Sequence, residues 1–214
     1  MTPERFCTEV PLRMRRLLDV MYPIAEQQEL TTSFTLMVAM PLLMIPLERT
    51  ATRGRDPANA ISDVQTSQSF VQALLRLKRR LFWEEFLRDP KLLHRWRFTE
   101  IGRSINHPSQ WRDSLDRHPM RPGARNNIKE QTVENVLMTV RHALAHGNVV
   151  YLNEVGDEAP GRRVTHMAFV ASGRDGSTAY RAVIVEELAF VDFLKMWADW
   201  LARYNIDSTL RQAA

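Results

Sequence analysis

Residues 133–152, "VENVLMTVRHALAHGNVVYL", contain a switch from helical to strand spacing. In the first part, apolar side chains recur every three or four positions, as on the buried face of a helix: Val133, Val136, Leu137, Val140 and Leu144. Gly147 then stands where a left-handed C-terminal cap belongs. Beyond it, "VVYLNE" is rich in the β-branched and aromatic residues that favour a strand. The stretch therefore predicts a helix from about Asn127 to His146, followed directly by a strand.

The β pattern continues after this strand until a final helix begins. Two more β-rich runs follow, "RVTHMAFVA" and "AYRAVIVEE", and glycine-containing polar turns at 156–161 and 172–178 separate them. Because strands adjacent in sequence usually pair, we expect a small antiparallel β meander over about 148–186. Helical spacing then returns from Glu187 to Tyr204.

The first part of the chain shows helical spacing interrupted by prolines. Residues 4–22 predict one or two helical pieces, and residues 26–50 predict a second, kinked helix. The prolines that break, close or kink these helices are Pro11, Pro23, Pro41 and Pro46. A polar loop is expected at 50–62 and a long amphipathic helix over 63–87. Residues 90–124 lose this periodicity and predict irregular structure with one short helix.

These elements predict a mainly α fold, an up-and-down helical bundle with a small antiparallel β meander inserted before the C-terminal helix. A chain of 214 residues with 44% apolar composition can bury one core of ordinary size. We therefore expect a single domain over residues 1–214, with an irregular basic and aromatic insertion at about 90–124.

Charge and cysteine content narrow the class of protein. The net charge is +4 and the sequence pI is near 9.6, which suits phosphate-bearing partners. A single cysteine, Cys7, excludes an internal disulfide framework and a thiolate zinc cage, which favours a cytoplasmic protein. The N-terminus carries charges where a secretory signal needs an apolar core. Because the apolar run at 34–47 is shorter than a span of about 20 residues, we expect a buried core helix there and no membrane association.

The octapeptide "RHALAHGN" at 141–148 concentrates the polar chemistry of the predicted helix end. His142 and His146 lie four positions apart, so both rings could reach one metal ion from one face. A zinc-peptidase motif of this kind also needs a glutamate directly after the first histidine, but Ala143 occupies that position. The sequence around these histidines shows no third metal ligand, so we expect neither a metal nor another cofactor.

Arg141 and His146 are five residues apart, which separates them by about 140 degrees around a helix axis. They do not share one face, so a single copy converges poorly on one phosphate. In a symmetric dimer, each protomer can contribute an arginine and a histidine to one cleft. An alternative stays open, because charged residues near a helix C-terminus commonly serve only as caps.

The octapeptide resembles the R-x4-6-H signature of the HEPN superfamily, with a polar residue, His142, after the arginine and "ALAHGN" at the helix end. The β excursion after the motif and the tryptophan-rich closing segment "FLKMWADWL" are also similar to HEPN proteins. This resemblance implies a HEPN-like helical bundle with metal-independent endoribonuclease activity on RNA, in a homodimer. It also implies a toxin or defence role, with a cognate antitoxin as a candidate partner.

The resemblance assigns a role to each motif residue. His146 is expected to act as general acid or base, and Arg141 to stabilise charge on the phosphate. His142 would orient the site or transfer a second proton, and Asn148 would contact the substrate or the backbone. Two alternatives stay open. Some HEPN domains bind RNA or partner proteins without cutting them, and the motif could also be structural in an unrelated helical protein.

Two other basic regions are candidates for RNA contact. The predicted helix at 63–87 carries a basic run that is either a phosphate track or a solvated face: Arg76, Lys78, Arg79 and Arg80. The segment at 90–124 interleaves tryptophans with arginines and histidines. These tryptophans either stack on bases or anchor a solvated loop.

Overall fold

The computed structural model describes residues 6–51, 68–102, 105–158, 161, 163–173 and 179–210. Its helices in those ranges are α1 (Phe6–Gln27), α2 (Thr31–Ala51), α3 (Gln68–Lys78), α4 (Phe82–Phe86), α5 (Pro90–Leu93), α6 (Val133–His146) and α7 (Glu187–Leu210). Its strands are β1 (Trp96–Ile101), β2 (Val149–Leu152), β3 (His166–Ser172) and β4 (Tyr180–Glu186). Short 3-10 turns occupy Pro108–Gln110 and Ile128–Glu130.

The chain divides into two compact units. Unit 1 comprises Met1–Arg76 and Val191–Ala214, and unit 2 comprises Leu77–Phe190. The expectation of a single domain stays a prediction.

Unit 1 contains the packed helices α1 and α2. Helix α1 continues through both Pro11 and Pro23, so the break and the stop predicted at these prolines are wrong. The loop predicted at 50–62 lies outside the described residues from residue 52 onward, as does the start of the helix predicted at 63–87.

Two prolines lie inside α2, and one of them explains a contact with the last helix. Pro46 has no backbone N–H, so it cannot bond to the carbonyl of Leu42 four residues earlier. The buried indole of Trp197 donates to that carbonyl at 3.0 Å. The C-terminal helix thereby satisfies a polar group that a proline would otherwise leave unpaired in the core.

Among the described residues, one helix is long and apolar enough to cross a membrane, judged by length and composition alone. It is α2, over Thr31–Glu48. A core helix passes the same test, and the side chains of Val38, Leu42 and Leu43 are almost fully buried. The absence of membrane association stays a prediction.

Unit 2 is built on a four-stranded antiparallel sheet with strand order β1-β4-β3-β2. The meander predicted at 148–186 supplies three of the four strands. The fourth, β1, pairs with β4 in a register that sets Trp96 opposite Val185 and Ile101 opposite Tyr180. Helix α6 packs against β3 and β4.

Both faces of this sheet carry buried apolar side chains. On one face, Trp96 and Phe169 pack against Phe190, with ring centroids 6.3 and 4.8 Å away. The opposite face carries a separate cluster that Trp111 completes: Ile101, Leu152, Ala168, Val170, Ala182 and Ile184. The sheet is therefore a core in its own right.

The predicted fold class is wrong. The protein is mixed α/β, with a substantial antiparallel sheet, and it is not an up-and-down bundle with a small β insertion. The reason lies in β1, "WRFTEI", inside the segment predicted as irregular. Its alternation is partly hidden because Arg97 and Thr99 occupy the second face. Its partner β4 also lies some eighty residues further along the chain.

Residues 105–125 form an ordered loop that covers the sheet. The Asp113 carboxylate is buried and accepts backbone N–H bonds from Leu115 at 2.8 Å, Arg117 at 3.0 Å and Arg125 at 2.5 Å. Trp96 and Trp111 are fully buried. They therefore anchor this part of the chain, and the alternative in which they stack on bases is wrong.

Replacing Asp113 with asparagine is expected to lower the free energy of unfolding near neutral pH by about 2 kcal/mol. Asparagine keeps one neutral oxygen for the N–H groups of Leu115 and Arg117, but its NH2 group cannot accept the N–H of Arg125. Burial opposes ionisation, but the three N–H donors and the Arg117 guanidinium outweigh it and lower the pKa of the Asp113 carboxyl. A lowered pKa contributes stability above the pKa of the unfolded chain, and this stability is lost as pH falls through the folded value.

Urea unfolding of both proteins across the acidic range tests this expectation. The difference between wild type and Asp113→Asn should shrink as the pH falls below the ordinary pKa of aspartate. Asp192→Asn, at an exposed position on α7, is the control and should cost little at any pH. A difference for Asp113→Asn that does not change with pH would contradict the assignment.

Candidate functional site

Helix α6 begins and ends at recognisable caps. The Thr132 hydroxyl accepts the N–H of Asn135 at 3.2 Å, as N-cap residues do. At the other end, Gly147 has a φ of 69°, and the N–H groups of Gly147 and Asn148 both bond to the Ala143 carbonyl. The predicted C-terminal cap is confirmed, whereas the helix begins at Val133 and not at Asn127.

The motif side chains differ in their exposure to solvent. The residues of the apolar stripe are buried, Arg141 and His142 are partly buried, and His146 is exposed. The rings of His142 and His146 lie 6.5 Å apart, with an interplanar angle of 64°. The structure therefore brings the two histidines together at the helix end.

Asn148 connects the helix end to the sheet. Its N–H donates to Ala143, and its carbonyl accepts the N–H of Val170 in β3 at 3.0 Å. Both backbone groups are thus used in holding the turn. Its partly buried side-chain amide is the part that could contact a substrate.

The predicted basic track is divided by the structure. Helix α3 ends at Lys78, so the prediction of one helix continuing to residue 87 is wrong. Arg79 and Arg80 lie in the link to α4, where the Arg80 carbonyl accepts the N–H of Val133 at 2.8 Å. That contact places them at the N-terminal end of α6. The motif is at the other end of this 14-residue helix, about 20 Å away along its axis.

The side chains of this basic run also have local partners. Arg80 Nε lies 2.9 Å from a Glu85 carboxylate oxygen. Arg76 belongs to unit 1, where it is exposed and donates to the Gln72 carbonyl at 3.3 Å. Within one protomer, Arg79 and Arg80 therefore do not converge on the phosphate that the motif would hold.

Other polar sites in unit 2 lie outside the motif. His166 borders a groove of about 770 Å³ that also contains Glu186. Burial lowers the pKa of His166, while the charge of Glu186 acts in the opposite direction. Among the described residues, no group of three or more histidine, cysteine or acidic side chains is placed to hold a metal ion.

Replacing Gly147 with alanine should lower the free energy of unfolding by about 1 to 2 kcal/mol, because an L-residue is strained in the left-handed region. A methyl group there would meet no atom within 4 Å, so the expected loss comes from backbone strain alone. Urea unfolding monitored by circular dichroism measures the loss. Gly147→Asn should cost less, since asparagine tolerates this conformation.

Gly102→Ala is the matched control for this substitution. A methyl group at position 102 also meets no atom within 4 Å, and Gly102 does not have a left-handed backbone. This variant should be as stable as wild type or slightly more stable. Equal losses at both glycines would contradict the cap.

Comparison with known proteins does not assign the chain to a family. No protein-family model, curated protein or solved structure matches the chain. The resemblance to HEPN proteins therefore depends on the motif residues and stays a prediction.

Proposed function

We propose that the protein is a metal-independent endoribonuclease that cuts RNA through a composite Arg141 and His146 site in a homodimer. The observation that carries this proposal is the arrangement at the end of α6. A partly buried arginine and two neighbouring imidazoles stand there at the surface, with ring centroids 6.5 Å apart. As the HEPN resemblance implies, a toxin or defence role and a cognate antitoxin belong to the same proposal.

The residue types suit cleavage by the neighbouring ribose hydroxyl. The 2′-oxygen attacks phosphorus while an imidazole accepts its proton, and the bond from phosphorus to the 5′-oxygen breaks. A protonated imidazole supplies the proton that the departing oxygen needs. Two rings this close can serve oxygens on either side of one phosphorus. His146 is assigned one proton transfer, and His142 the other or an orienting role.

The arginine supplies charge stabilisation. The pentacoordinate phosphorus carries two negative charges, which a planar guanidinium can contact through two parallel N–H donors. Because about 140 degrees of helix separate Arg141 from His146, we assign the arginine and the histidine of each site to different protomers. A twofold interface along α6 would produce two such pairs.

An RNA cleavage assay in EDTA tests the reaction. Wild-type protein should cut a labelled oligoribonucleotide and leave 2′,3′-cyclic phosphate and 5′-hydroxyl ends. A matched oligonucleotide with one 2′-deoxy residue at the cut position should resist cleavage there. Loss of cutting in EDTA, or equal cutting of the deoxy substrate, would contradict the mechanism.

A noncatalytic RNA- or protein-binding module is the second candidate function. The observation that favours it is that the motif lies outside the three cavities described for unit 2. The cavities of unit 2 described here, about 410, 240 and 770 Å³ in volume, are lined by residues outside the motif. Binding of RNA that leaves the strand intact, at a strength that depends on Arg141, would favour this function over cleavage.

A further inference from the structure

The ordered loop at 105–125 builds a polar cavity of about 410 Å³ that the ribonuclease proposal does not use. Three arginines line it, Arg112, Arg117 and Arg121, together with Asp116 and Asp157. The cavity walls come from the 3-10 turn at Pro108–Gln110, the loop that follows it, and the connection between β2 and β3. This volume lies in the range of small-molecule sites, about 300 to 1,000 Å³.

The backbone around the cavity is held by buried contacts. His118 is almost fully buried, with Nε2 at 3.0 Å from the Pro108 carbonyl and Nδ1 accepting the Met120 N–H at 3.2 Å. Gly156, from the β2–β3 connection, has a φ of 91°, and any side chain at this position would collide with His118 and Met120. The close approach allowed by this glycine joins the two walls.

Two of the arginines are also fixed in place. Arg112 Nη1 donates to the carbonyls of Ser109 at 3.1 Å and Trp111 at 2.7 Å, and Arg117 Nη1 donates to the Gly123 carbonyl at 2.5 Å. These bonds use one nitrogen of each guanidinium group. The Nε and Nη2 donors are not part of them. Such tethering lowers the entropy that each arginine loses when it binds an anion.

The balance of charges selects the ligand class. Burial lowers the pKa of His118, although the Pro108 carbonyl and Asp157 act in the opposite direction. Because Nδ1 accepts a backbone N–H, the ring carries its proton on Nε2 and is neutral. Three guanidinium groups and two carboxylates therefore supply the charges that line the cavity. Guanidinium groups recognise phosphate through paired N–H donors, whereas carboxylates accept from hydroxyl or amino groups. A ligand that satisfies both carries a phosphate and hydrogen-bond donors a few ångströms away.

We propose that this cavity binds a nucleotide, with its phosphate on Arg112, Arg117 and Arg121 and its sugar or base donors on Asp157. The nucleotide is either free or the terminal residue of an RNA strand. Strand β2 separates this cavity from the motif turn at Asn148, and its four residues span about 13 Å. The proposal therefore does not depend on RNA cleavage.

Isothermal titration with the four nucleoside 5′-monophosphates, inorganic phosphate, and RNA oligonucleotides with and without a 5′-phosphate tests the proposal. At least one monophosphate, or the 5′-phosphorylated RNA, should bind at least tenfold more tightly than inorganic phosphate. Binding of the monophosphate identifies a free nucleotide, and binding of the phosphorylated RNA alone identifies a strand end.

Variants locate the binding. Arg121→Ala should weaken it at least tenfold, and Arg121→Lys should restore only part because lysine lacks the planar fork. Asp157→Asn should weaken nucleotide binding but not inorganic phosphate binding. Arg88→Ala, at an exposed arginine outside the cavity, should stay within twofold of wild type. Unchanged binding in a folded Arg121→Ala protein, or equal affinity for phosphate and nucleotide, would overturn the proposal.

Discussion

His146→Ala should slow RNA cleavage by about a hundredfold to ten-thousandfold, the usual contribution of a positioned general acid or base. His146 is exposed on the last turn of α6, and alanine is a good helix former, so the fold should persist. Single-turnover cleavage of a labelled RNA, compared with wild type at several pH values, measures the effect. His107→Ala, at another exposed histidine, is the control and should cut at the wild-type rate.

The partner substitution separates a composite site from a site within one protomer. Arg141→Ala should lose about a hundredfold to a thousandfold in rate, because charge on the phosphorus oxygens is no longer stabilised. When Arg141→Ala and His146→Ala proteins are mixed and allowed to exchange subunits, half of the dimers are mixed. Each mixed dimer then holds one intact arginine and histidine pair, so about a quarter of the wild-type activity should return.

Three outcomes would contradict this assignment. If both variants cut RNA as fast as wild type, the observed activity comes from elsewhere, and the motif residues serve only as caps. If each variant is inactive and mixing restores nothing, the two side chains act within one protomer. A strictly monomeric wild-type protein in light scattering would lead to the same conclusion about the composite site.

The part of the fold that could be predicted from the sequence is the part fixed by local spacing. The stripe from Val133 to Leu144 determines α6, and Gly147 determines its end, because the residues that form the helix and its cap are within a few positions of one another. The meander was also predictable, since its strands pair with sequence neighbours. Strand β1 was not predictable from local spacing. Trp96 and Phe98 form a strand by pairing with β4, which is distant in sequence.

The candidate sites also differ in whether their residues are close in sequence. Arg141, His142 and His146 form a motif within eight residues, so the sequence could predict that they share one helix end. Leu81 forms a bridge with Thr132, which holds Arg79 and Arg80 at the end of α6 opposite the motif. This bridge is a long-range pairing, so no local sequence pattern predicts it. The arginine cavity likewise joins the loop after β1 to the β2–β3 connection, two segments that are distant in sequence.

Trp96→Ala should lower the free energy of unfolding by about 3 to 5 kcal/mol, the usual cost of deleting a buried large aromatic side chain. Trp96 is fully buried on β1, with the rings of Phe82 and Phe190 at 5.1 and 6.3 Å. Urea unfolding measures the loss. Tyr151→Ala, at a 42% exposed aromatic on β2, is the matched control and should cost about 1 kcal/mol or less.

This pair of variants tests the sheet itself. If residues 96–101 were the irregular segment that their composition suggests, Trp96 would pack against little and both variants would lose similar, small amounts. A β1 strand in the core instead makes Trp96→Ala cost a large share of a stability that is typically about 5 to 15 kcal/mol. Trp96→Phe should retain most of that stability, because the smaller ring still fills much of the space between Phe82 and Phe190. Equal losses for Trp96→Phe and Trp96→Ala would contradict this packing.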